Sequence, residues 1–264
     1  MQKISDSFKK RYGILIVIIV IFILAAGVIF SQNYVIINDY SGLKIYNIDT
    51  TTELKWVYNI RQIKRLKNLQ SLRIGIQDQK DDLSFLKSFD YLTYLHLSDE
   101  TRSRISDLDT LPVIPNLNTL SLANFESEKL YCSPVGQLSS LEKLYAADCN
   151  ISDWNFVDNL PNLKFISYVS GYNDTEAFNK RDWTPLESVS SLEYFEVKNV
   201  CYDKTLLDIL EKLPSLDHVY IAFYESRKLS DEEHTYIFDW IERMEDKGIE
   251  CQVVDFNYHG LNNG

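Results

Sequence analysis

The chain is poor in the residues that usually carry chemistry. Its 264 residues include only four histidines, four cysteines and nine glycines. His96, His218, His234 and His259 make no H-E-x-x-H pattern, and no two of them lie four apart, which excludes the helical two-histidine zinc motif. There is no glycine-rich phosphate loop, no G-x-S-x-G and no cysteine in a catalytic setting. The expectation is a non-enzyme, with no catalytic residues, no cofactor and no metal. Nine glycines and six prolines also leave no long low-complexity linker.

Basic residues are the minority, 27 against 38 acidic, for a net charge of −11. Residues 1–30 hold four basic groups and one acid, so the rest of the chain carries −14. Such a charge repels nucleic acid and anionic lipid head groups, so no nucleic-acid partner is expected.

Strongly polar groups are missing altogether from one segment. Residues 13–30 carry no charge, and eighteen residues at about 1.5 Å each make about 27 Å of helix, enough to cross a bilayer's hydrocarbon. Lys3, Lys9, Lys10 and Arg11 precede the run, and the next basic residue is Lys44. The positive-inside rule then keeps residues 1–12 in the cytoplasm and places the remainder outside the cell. The alternative is a secreted protein whose signal peptide is cut near Ala25, Ala26 and Gly27. The apolar run continues through Val28, Ile29 and Phe30, which favours an uncleaved single-pass anchor.

What is abundant is a ladder. Leu69, Leu92, Leu117, Leu141, Leu163, Leu192 and Leu216 each follow apolar residues three, six and nine positions back and precede apolar residues three and five positions on. Cys132 and Tyr168 count as apolar in this frame. Spacings of 22 to 29 residues around an L-x-x-L-x-L core are those of a leucine-rich repeat solenoid. The fold class expected is α/β: a curved parallel sheet whose outer side is made of 3₁₀ or short helical turns, since apolar residues three apart share one face of such a turn. One unit cannot bury its apolar edge alone, and stacking at about 4.8 Å makes the shared core.

The stretch LEKLYAADCNISDW at 141–154 resembles the short, 22-residue-type repeat of bacterial internalin-like proteins. Asp107-Leu108 and Asp182-Trp183 repeat its Asp-apolar step. Asp82, Asp107, Asp153 and Asp182 all fall ten residues before their register leucine and are expected to cap the outer turns. The resemblance implies a binding scaffold and leaves the ligand open. The ninth position, usually Asn, holds Gln77, Glu100, Phe125, Cys149, Gly171, Val200 and Tyr224, so the asparagine ladder is expected to be absent.

The organisation expected is a cytoplasmic N-terminus (1–12), anchor or signal peptide (13–30), N-terminal cap (31–56), about seven repeats (57–225) and a C-terminal helix–strand cap (226–264). Ser230 to Glu233 forms a capping box ahead of Ile237, Trp240, Ile241 and Met244 on one helix face. The long interval between Leu163 and Leu192 implies a protruding loop at 170–180. Asn150 and Asn173 head formal glycosylation sequons. Cys132 and Cys149 read as small buried hydrophobes; Cys201 and Cys251 stay open.

Strand residues that do not face the core line the concave side. The third column runs Ser71, Tyr94, Thr119, Lys143, Phe165, Tyr194, His218, and the fifth Arg73, His96, Ser121, Tyr145, Ser167, Glu196, Tyr220. A seventh, mostly small column runs from Gly75 to Ala222 and is expected to leave room for a ligand. Exposed strand positions need no aromatics for packing, yet aromatics dominate binding hot spots. Tyr94, His96, Lys143, Tyr145, Phe165, Tyr194, Glu196, His218 and Tyr220 are therefore the candidate partner-binding residues. The expected partner is a protein or peptide. Two alternatives are an envelope scaffold holding a neighbouring membrane protein, and a carbohydrate-binding surface.

Overall fold

The computed structural model describes residues 23–255, apart from 25, 40, 58–62, 78–81, 101–104, 126, 128, 152, 172–180 and 224–228. Eleven strands form one sheet in the order β11-β10-β9-β8-β7-β6-β5-β4-β3-β1-β2. At its N-terminal end β1 (Tyr34–Asp39) and β2 (Gly42–Asn47) make an antiparallel hairpin, joined to β3 (Glu53–Val57) by the pair Asp39 and Val57. From β3 onward all pairing is parallel, through β4 (Ser71–Ile76), β5 (Tyr94–Asp99), β6 (Thr119–Ala123), β7 (Lys143–Cys149), β8 (Phe165–Ser170), β9 (Tyr194–Val200), β10 (His218–Phe223) and β11 (Glu250–Asp255). Nine parallel strands in chain order, each reached by a short return segment, make a leucine-rich repeat solenoid.

The strands are short because each supplies only two or three inward residues, as in Leu95 and Leu97 of β5 or Phe195, Val197 and Val200 of β9, all buried. The register leucines are buried beside them in one continuous cluster from Val35 to Val253. Outer returns contain 3₁₀ turns at Leu83–Ser88, Ser133–Gln137, Asn155–Asn159 and Thr184–Ser188. In the last return between repeats, an α-helix, α1 (Lys204–Leu210), takes their place. The recurring aspartates start the turns by accepting a backbone N–H two residues on: Asp82 from Ser84 (2.8 Å), Asp107 from Asp109 (3.3 Å), Asp153 from Asn155 (2.8 Å) and Asp182 from Thr184 (3.0 Å). Asp203 does the same for Thr205 at the start of α1. Tyr168 is fully buried between Trp154 and Trp183, and its hydroxyl donates to the Cys149 carbonyl at 2.8 Å; the phenol is satisfied, so the slot behaves as an apolar one.

Asparagine does bind the turns, one place away from where the repeat pattern put it. Asn124 and Asn199, at the eighth position, adopt left-handed backbone with φ of 61° and 59°, a region Asn tolerates better than other side chains. Asn124 donates to Ser98 Oγ and Asn199 to the Ser170 carbonyl. Asn150 donates to the Ser127 carbonyl and is buried, so its side-chain amide is not presented for glycosylation. Asn173 and most of the expected loop lie outside the described residues.

The C-terminal end is closed by α2 (Asp231–Asp246), whose Ser230–Glu233 capping box is formed in both directions. Trp240 is fully buried and donates to the Leu207 carbonyl at 2.9 Å. Arg243 holds Glu211 through two nitrogens at 3.0 and 3.1 Å. Gly248, at φ 79°, turns the chain into β11. Cys132 and Cys149 are buried free thiols, and Cys201 and Cys251 are half-buried.

The first ten residues of the apolar run 13–30 lie outside the described residues; 26–33 are helical. Among the described residues no helix is long and apolar enough to cross a membrane.

Candidate functional site

Parallel pairing carries the three columns across the sheet without slippage in register. Ser71, Tyr94, Thr119, Lys143, Phe165, Tyr194 and His218 are successive partners, and Glu250 of β11 extends the row. The fifth column aligns likewise from Arg73 to Tyr220 and on to Gln252. All nine candidate residues therefore stand on the face opposite the core. The fold separates them into two groups.

Toward the C-terminal half the rings meet. Tyr145 and Phe165 lie 4.9 Å apart, Phe165 and Tyr194 stack at 4.5 Å and 7°, and Tyr194 approaches His218 at 6.0 Å. His218 Nε2 is 3.1 Å from a Glu250 carboxylate oxygen. Below this file, Glu196 accepts from Ser167 Oγ and pairs with Lys198, each at 2.5 Å, while Lys198 Nζ sits 4.9 Å from the Tyr220 ring centroid. Burial pushes the Glu196 carboxyl up, but the hydrogen bonds from Lys198 and Ser167 outweigh it and leave the pKa below the ordinary value. The bond to Glu196 holds the Lys198 ammonium above its own. The pair is thus charged and internally satisfied at neutral pH.

The N-terminal group was only half legible. Arg73 lies over the Tyr94 ring at 5.6 Å, and His96 Nδ1 is 2.8 Å from Ser121 Oγ. Trp56 of β3 completes it, meeting the His96 ring edge-on at 4.9 Å. Pairing of β3 with β4 shifts between Leu54 and Val57, and Trp56 has φ 53°. A bulge of this kind re-aims a side chain, and the left-handed backbone costs a non-glycine residue about 1–3 kcal/mol. The spacing of three between the inward Leu54 and Val57, where a strand should show two, was its only trace in the sequence. Arg73 Nε and His96 Nε2 are buried without a hydrogen-bond partner. Burial, then the Arg73 charge, holds the His96 pKa below its ordinary value, so the ring is neutral at pH 7.

The small seventh column is less open than its side chains suggest. Gly75, Ser98 and Ala222 are buried; only Ala147 is exposed, with Ala123, Val169 and Lys198 half-buried. Among the described residues no three His, Cys, Asp or Glu side chains gather as a metal would need. What the face offers is non-covalent: stacked rings, two cations (Arg73 and Lys143) with no ion pair among the described residues, and one neutral imidazole.

Solved structures similar to this chain include three bacterial proteins. An internalin of Listeria monocytogenes, inlF, matches 79% of this chain and 68% of its own at 15% identity and a TM-score of 0.40. Internalin C2 of the same organism matches 80% and 79% at 21% identity and 0.45. A leucine-rich repeat protein of Leptospira interrogans matches 79% and 54% at 18% identity and 0.45. Neither a family model nor a curated protein matches the sequence significantly.

Proposed function

We propose that this chain is a recognition protein that holds a protein or peptide partner non-covalently on the concave face of its sheet, outside the cell membrane to which residues 13–30 anchor it. The observation that carries the reading is the file Tyr145–Phe165–Tyr194–His218, whose rings pack on one another across four strands and not into the core. Aromatics fixed in this way lose little further entropy when a partner covers them, which is why such groups act as hot spots.

The stacking also weighs against a sugar ligand. Phe165 and Tyr194 lie nearly parallel at 4.5 Å, so each ring shields one face of the other and the file shows mainly edges, whereas a pyranose packs on an open ring face. Lys143, the strand partner of Phe165 and without an ion pair among the described residues, favours a partner segment that brings a carboxylate.

The test uses the full chain in detergent as bait for envelope proteins, with Tyr145→Ala/Phe165→Ala as control. The double variant is expected to lose the captured partner while melting at the parent temperature. Unchanged capture would overturn the reading. Retention of the chain in the membrane fraction after alkaline extraction tests the anchor separately.

A further inference from the structure

The N-terminal hairpin has an apolar face that no described residue covers. Among the described residues, nine of the thirteen large apolar side chains left exposed belong to residues 23–45, and the other four are scattered singly. Within the hairpin, Ile36 pairs with Ile45 and Asn38 with Leu43, so Ile36, Leu43 and Ile45 share one face. Their exposures are 50%, 76% and 60%, while Val35 and Ile37 on the other face are buried in the core cluster. A contiguous exposed patch of this kind marks a surface with a partner.

The patch is tied to the apolar run across the short polar step Ser31, Gln32 and Asn33. Helix 26–33 leads directly into β1. Phe30 stacks on Tyr34 at 5.2 Å and 20°. The Arg65 guanidinium donates to the carbonyls of Ser31 and Tyr34, and Ile48 N–H donates to the Asn33 carbonyl at 2.8 Å. Tyr34 lies four positions after Phe30, a rise of about 6 Å. A head-group layer is about as thick, since a bilayer of about 40–45 Å has a hydrocarbon core of about 30 Å.

Charge points the same way. Residues 31–70 hold six basic and three acidic side chains, whereas residues 71–264 hold 17 basic and 34 acidic. The segment beside the apolar run is therefore cationic on a chain of net charge −11. Lys64 and Lys67 are exposed on the turn that presents Arg65 to the helix. Basic residues next to a membrane segment are drawn to anionic lipid, and an acidic body is pushed away from it.

We propose that the outer face of the β1–β2 hairpin rests in the head-group layer of the bilayer, with Tyr34, Ile36, Leu43 and Ile45 as the lipid contacts, so that the solenoid stands up from the membrane on its first coil. This rests on the anchored reading above. The occupant is lipid, because the Phe30–Tyr34 stack joins the patch to the segment that would enter the hydrocarbon.

The full chain, carrying labelled isoleucine methyls, is placed in nanodiscs of phosphatidylcholine and phosphatidylglycerol with a nitroxide at head-group level. Ile36 and Ile45 are expected to lose most of their signal intensity and Ile221 and Ile237 to keep theirs. Replacing phosphatidylglycerol by phosphatidylcholine should reduce the loss at Ile36 and Ile45. If Ile23 and Ile29 are broadened while Ile36 and Ile45 stay sharp, the anchor stands and the hairpin contact is overturned. If no isoleucine between 23 and 45 is broadened, both fall. Broadening of Ile36 and Ile45 that tracks protein concentration without the nitroxide would assign the patch to a second copy of the chain and overturn the lipid contact.

Discussion

Trp56 reaches across β4 to meet His96 edge-on, 4.9 Å between ring centroids, although neither the strand pairing nor the repeat pattern brings the two positions together. The contact shields an imidazole that also lies beside Arg73, and both circumstances disfavour its protonated form.

The acid side of the stability profile should carry this signature. The unfolded chain binds a proton on His96 near the ordinary value of 6.5, and the folded chain only at lower pH. His96 therefore contributes its full stability above about 6.5 and loses it as pH falls from there toward the folded value. The stability difference between the parent and His96→Gln should narrow over that interval in urea titrations. Trp56→Ala should raise the His96 pKa, read from its ring proton shifts, because burial is the larger cause.

Helix α1 depends on a single side chain at its start. Asp203→Ala removes the acceptor for the Thr205 N–H and should cost about 1 kcal/mol, in the range of N-cap losses. Asp203→Asn should recover most of the urea midpoint.

Trp240 closes the last coil. Trp240→Ala removes a fully buried ring and its bond to the Leu207 carbonyl, and large core truncations of this kind cost about 3–5 kcal/mol. A lowered melting temperature is expected, together with self-association seen in sedimentation, because loosening α2 bares the core edge that it covers.

Thiol reactivity should follow burial. Cys132 and Cys149 are expected to stay silent to Ellman's reagent until denaturant is added; burial pushes the Cys149 thiol up to about 12. Burial also holds Cys251 at about 12, so its reaction rate at neutral pH should be low and rise with pH.

The leucine period was enough to place β4 to β10, because an inward residue must recur wherever coils share a core. The aspartate caps were legible for the same reason, since each turn opens with the same unsatisfied N–H. A further rung went unread. Asn68, Asn116, Ser140, Asn162 and Ser191, each just before its register leucine, donate to a carbonyl of the preceding coil, of Asp49, Asp90, Pro115, Ser139 and Leu163 respectively. Asn and Ser alternate there, so spacing identifies the rung where residue type does not. Trp56 escaped notice because a bulge breaks the alternation that assigns faces. The aromatic columns were visible as composition, whereas the mutual stacking of Phe165 and Tyr194 depends on rotamers that periodicity does not encode.

The unslipped row from Ser71 to Glu250 sets a ruler for whatever lies along it. Neighbouring coils repeat at about 4.8 Å, and a polyproline II peptide advances about 3.1 Å per residue with three residues per turn. Two coils thus nearly match three peptide residues, so a guest chain laid across the strands returns to phase at every third side chain. Like the scales of a vernier, the two periods would let the row sample one residue in three and ignore the two between.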